Sequence, residues 1–85
     1  MFYLYYEDKN RDLVPVMDGD KIKEYMDAQD CAQAAEGIES LNFEINSDEH
    51  SRSMRGVRLG RETVWRVNGK SGRPVNRYRK IGETL

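Results

Sequence analysis

One cysteine, one histidine and two prolines are the scarce residues of this 85-residue chain, and each scarcity excludes something. With Cys31 alone no intramolecular disulfide can form, so packing has to hold the fold, and a reducing compartment is expected. His50 and Cys31 cannot assemble a zinc site without two carboxylates, and nothing in the sequence draws them together. Long apolar runs are missing too. The richest stretch, Phe2-Tyr3-Leu4-Tyr5-Tyr6, stops at Glu7-Asp8, too short for a secretory leader or a bilayer span. A cytoplasmic location without a membrane partner is therefore expected, and a start at Met1 with no tag reads as a whole small protein. No repeat and no low-complexity segment is visible.

Catalytic and cofactor motifs fail on inspection. Gly69-Lys70-Ser71 would need a glycine five positions earlier to make a phosphate loop, and that position holds Val64. Asp8, Asn10 and Asp12 have the opening spacing of a calcium loop, but Leu13 stands where its glycine belongs and Gly19 where its glutamate belongs. Cys31 falls on the apolar face of a predicted helix, where a small thiol is packing material. No catalytic residue, metal ligand or cofactor is assigned, and the chain is not expected to be an enzyme.

What is present is charge, divided along the chain. Residues 1–50 carry thirteen Asp/Glu against four Lys/Arg, a net of −9, whereas residues 51–85 carry ten Lys/Arg against two Asp/Glu, a net of +8. The overall −1 conceals this sequence dipole. Such asymmetry draws an anionic partner, or makes the two halves attract each other. At 38% apolar and 34% charged residues, the chain makes one domain with a thin core.

The periodicities predict an α+β fold: one small domain over 1–85, with an antiparallel sheet of about 4–6 strands packed by one main helix at about 28–40. Residues 2–7 suit a strand, Lys9 to Asp12 a turn, and Leu13 to Met17 a second strand that Pro15 confines to an edge or bulge. Asp18-Gly19 signals another turn. Residues 20–41 cannot be one helix. Ile22, Tyr25 and Met26 lie on one side of such a helix, nearly opposite Cys31, Ala35 and Ile38. A break at Asp27 resolves this, with Asp27 as N-cap, Asp30 three residues on, and Ala28, Cys31, Ala35, Ile38 and Leu41 turned inward. Residues 41–45, 54–59, 63–68 and 74–81 read as strands, Asn46 to Ser53 as a loop, and Arg61-Glu62 as the link between the 54–59 and 63–68 strands.

The basic half is the candidate site. In 63–68, Thr63, Trp65 and Val67 share one face, while Val64, Arg66 and Asn68 share the other. Trp65 is expected in the core. The strand at 74–81 has no apolar middle on either face, as in an edge or a binding surface. Arg55, Arg58, Arg66, Lys70, Arg73, Arg77, Arg79 and Lys80 are the candidate nucleic-acid contacts. Eight arginines to two lysines in this half suit forked contacts to phosphate and base edges. The plainer alternative is that these arginines are a solvated face or pair with the acidic half.

Arg55-Gly56-Val57-Arg58, then Trp65 after six residues, then a third strand ending in Ile81-Gly82-Glu83-Thr84, resembles the three-stranded DNA-binding sheet of plant ethylene-response-factor proteins and their phage relatives. The resemblance implies major-groove reading by Arg55, Arg58, Arg66 and Arg77. It spans about 30 residues and departs from the family in one respect. There a helix follows strand three, whereas here the helix would come from 28–40, ahead of the sheet.

Three functions compete at this point. The first is non-catalytic binding of nucleic acid or a nucleoprotein through the C-terminal strands. The second is an inhibitor or adaptor of the viral or mobile-element type that binds a host protein, its acidic half imitating nucleic acid. The third is an accessory domain that forms a homo-oligomer.

Overall fold

The computed structural model describes residues 1–47 and 53–68. The aromatic opening run forms β1 (Phe2–Glu7), which turns back into β2 (Leu13–Pro15), pairing Tyr5 with Pro15 and Glu7 with Leu13. Asp8 builds the turn. Its Oδ1 accepts from the backbone N–H of Asn10 at 2.9 Å and of Asp12 at 3.0 Å, while Arg11 takes a φ of 65°. The acidic motif with a calcium-like spacing is thus spent on a hairpin.

Pro15 does what its missing N–H predicts. β2 is three residues long and lies at the edge of the sheet. Beyond it the chain leaves as a small separate hairpin, β3 (Met17–Asp18) and β4 (Lys21–Ile22), with Gly19 at φ +66° in the two-residue loop. Its return closes the rest of the β1 edge. The N–H of Val16 donates to the Leu4 carbonyl at 2.9 Å, and Phe2 and Tyr25 exchange backbone bonds at 2.9 and 2.8 Å.

The expected break falls at Asp27. That residue is extended (φ −149°, ψ 171°), and its side chain accepts from the Asp30 N–H at 2.9 Å, starting α1 (Ala28–Glu36). Cys31, Ala32 and Ala35 are buried along one stripe, and their small size brings the helix close to the sheet. The helix is shorter than the sequence predicts. It stops at Glu36, where the N–H groups of Gly37 and Ile38 bond three residues back, to Ala34 and Ala35. Ile38 still packs on the core, but Leu41, expected inward, is 67% exposed.

Strands β5 (Asn42–Ser47), β6 (Ser53–Leu59) and β7 (Glu62–Asn68) complete an antiparallel sheet in the order β2-β1-β5-β6-β7. The link between β6 and β7 is Gly60-Arg61 rather than Arg61-Glu62. Gly60 adopts φ +65° at the first loop position, where a two-residue hairpin asks for glycine, and Glu62 is already in the strand, opposite Leu59. Leu4, Phe43, Ile45, Met54 and Trp65 present one face to α1, so among the described residues the sheet has a helix on one side only. The 74–81 strand prediction lies outside the described residues.

Candidate nucleic-acid interface

The period-two alternation of β6 sorts its arginines. Met54, Gly56 and Arg58 point toward α1, and Arg55 and Val57 point away. On the inner face, Trp65 stands directly opposite Gly56 and its ring covers the position a side chain there would fill, so the tryptophan is core, 2% exposed. Its ring lies 6.2 Å from that of Phe43 at a tilt of 45°.

Arg58 points the same way and is half-buried. Its Nη2 donates to the carbonyl of Ala35 and, at 2.9 Å, to that of Ile38, while its guanidinium lies 5.1 Å from the centre of the Phe43 ring. A cation placed at the last carbonyls of a helix satisfies acceptors that the helix leaves open and opposes its negative end. Arg58 is therefore the clasp that holds the C-terminus of α1 to the sheet. The ethylene-response-factor resemblance makes this residue a DNA contact, and the structure gives it internal work. Alternation along a strand could have revealed its face, but only knowledge of where the helix ends could have shown what it grips.

The helix-free face is different. Across it runs a transverse row set by the pairing register: Pro15, Tyr5, Glu44, Arg55 and Arg66. Arg55 is exposed, with its Nε 3.9 Å from Glu44 Oε2, and Arg66 is half-buried directly opposite Arg55. Glu44 is steadied from the other side by Asn46, whose Nδ2 donates to Oε1 at 2.9 Å. Next to this row lies an open depression of about 360 Å³, with Glu7, Arg11, Leu13, Glu44, Arg55 and Val57 among its walls. Glu44 with Arg55 joins the acidic half to the basic half.

Of the eight sequence-predicted contacts, Arg55 and Arg66 are brought together on this face and Arg58 is turned to the other. Lys70, Arg73, Arg77, Arg79 and Lys80 lie outside the described residues. Tyr5, not singled out from the sequence, stands in the same row. Its place opposite Glu44 depends on a pairing between β1 and β5 that local sequence does not announce.

Cys31 is fully buried, and burial, reinforced by the nearby Asp30 and Asp27, pushes its thiol up to about 12, so it is no nucleophile near neutral pH. Among the described residues no group of three His, Cys, Asp or Glu side chains is placed to hold a metal, and no helix is long and apolar enough to cross a membrane. His50 lies outside the described residues.

The fold and this face together define a class: a small α+β domain with a five-stranded antiparallel sheet, one helix behind it and an arginine-bearing row on the open side. Compared with protein-family models, curated proteins and solved structures, the chain matches none.

Proposed function

We propose that this is a non-catalytic binding protein that contacts nucleic acid through the helix-free face of its sheet. The observation that carries the reading is the direct opposition of Arg55 and Arg66 on β6 and β7. Two guanidiniums side by side on one open face suit neighbouring phosphates, which a nucleic-acid backbone supplies at regular intervals. Tyr5 in the same row offers a ring on which a base can stack, and arginine forks suit phosphate oxygens better than lysine does.

Fluorescence anisotropy with labelled single- and double-stranded oligonucleotides, at low and near-physiological salt, tests this. Micromolar or tighter binding that weakens steeply with salt is expected, and Arg55→Glu or Arg66→Glu should abolish it. Binding that survives both changes, or no binding at low salt, rejects the proposal.

One observation favours a second reading, capture of a protein partner by the acidic part. The β3–β4 hairpin projects Asp18 and Asp20 at its tip beside Met17, 49% exposed, and Ile22, 41% exposed, a mixture suited to a basic cleft with an apolar lip. Asp20→Lys together with Glu24→Lys should remove such capture and leave oligonucleotide binding intact or improved.

A further inference from the structure

The open face carries a carboxylate that works against phosphate. Glu7 stands in the row beside that of Tyr5, Glu44 and Arg55, opposite Leu13 and next to Asn42, which itself faces Val57. Its Oε1 accepts from Asn42 Nδ2 at 3.3 Å, and its backbone carbonyl accepts from the Ser40 hydroxyl at 2.8 Å. Glu7 is thus held in place, yet no ion pair among the described residues includes it. Glu44 has both oxygens engaged, by Asn46 and by Arg55, so Glu7 is the carboxylate left to read a ligand.

The open depression of about 360 Å³ has this carboxylate in its wall, with Arg11 and Arg55 as its cations and Leu13 and Val57 as its apolar surface. Its volume lies in the range of small-ligand clefts. Arg55 meets Glu44 through Nε at 3.9 Å, leaving its terminal nitrogens for a further anion. Arg11 is exposed and takes a φ of 65°, a left-handed backbone that residues other than glycine adopt rarely and that often marks a functional position. A cleft that combines a carboxylate, two cations and apolar side chains fits a flat ring with hydrogen-bond donors on one edge and a phosphate beyond.

We propose that the depression seats one unpaired guanine of a single strand, with Glu7 accepting from its N1–H and N2 amine and with Arg11 and Arg55 on the adjoining phosphates; this rests on the nucleic-acid reading above. Of the bases, guanine alone sets two donors side by side on its pairing edge, matching the two oxygens of a carboxylate. Adenine and cytosine put a ring-nitrogen acceptor beside their amine, and thymine and uracil flank one N–H with two carbonyls. A carboxylate repels those acceptors. In a duplex the guanine edge is already paired, so only an unpaired base can enter.

Fluorescence anisotropy of the full chain tests this with a thymine-only single strand, the same strand with one central guanine, with inosine in its place, and with that guanine paired in a duplex. The guanine strand should bind roughly ten-fold tighter than the thymine strand, as one bidentate base contact provides. Inosine, which lacks the N2 amine, should lose most of that gain, and the paired guanine should show none. Glu7→Gln should bring the guanine and thymine strands to within about two-fold of each other. Equal binding of those two strands by the parent protein would overturn the guanine seat and leave the nucleic-acid reading standing, whereas no binding to any strand would overturn both. A preference that survives Glu7→Gln would overturn Glu7 as its reader. Guanosine 5′-monophosphate bound as tightly as the guanine strand would overturn the strand as the source of the base.

Discussion

Gly56 and Trp65 occupy one volume between them: a Cβ built on Gly56 would lie 2.7 Å from Cζ3 and 2.8 Å from Cε3 of the indole. The φ of Gly56 is not in the left-handed region, so only the ring forbids a side chain there. Gly56→Ala should cost about 1–3 kcal/mol by overpacking. With Trp65→Leu as background, the same change should become neutral or stabilising, since alanine outperforms glycine in a strand. Urea titrations of the four proteins measure the reversal. A Gly56→Ala variant as stable as the parent would show that the ring yields freely.

Arg58 should separate stability from binding. Arg58→Ala leaves the carbonyls of Ala35 and Ile38 without their cation, and a loss of about 1–3 kcal/mol follows. Arg58→Lys should recover part of this, because an ammonium keeps the charge but not the fork. Measured below its melting temperature, Arg58→Ala should bind oligonucleotides within two-fold of the parent. A much larger loss would return this residue to the interface.

The N-terminal cap gives a smaller and more local effect. Asp27→Ala should remove about 1 kcal/mol, and amide exchange should quicken first at the Asp30 N–H, which loses its acceptor. Uniform quickening through the sheet would mean that α1 and the sheet unfold as one unit.

Alkaline pH should loosen the fold through Cys31. Its thiol is neutral in both folded and unfolded chains below about 9, so no stability depends on it there. Between about 9 and about 12 the unfolded chain releases the proton and the folded chain holds it. The unfolded state then binds fewer protons, and stability falls as pH rises, by up to roughly 1.4 kcal/mol per unit. Tyr25, raised by burial and then by the neighbouring Cys31, acts in the same direction. Cys31→Ala should flatten the decline from pH 9 upward in denaturant titrations, leaving the tyrosine part. An unchanged decline would assign the effect elsewhere.

Local chemistry made much of this legible in the sequence. Pro15 announced an edge, Asp27 a helix start, and the alternation around Trp65 its two faces. What escaped reading was decided across the chain. The helix ends at Glu36 because Gly37 and the distant guanidinium of Arg58 take over its last carbonyls. Leu41 faces water once that ending releases it. The candidate face was visible only as a list of arginines. Register then divided the list, setting Arg55 beside Glu44 and opposite Arg66, and turning Arg58 toward the helix.

The two borders of the sheet are unequal. On one side β2 offers three residues closed by Pro15, after which the chain departs into its own small hairpin. On the other, β7 runs seven residues, each in register with β6. The short, proline-bearing border of β2 is thus a poor template for the addition of a further strand.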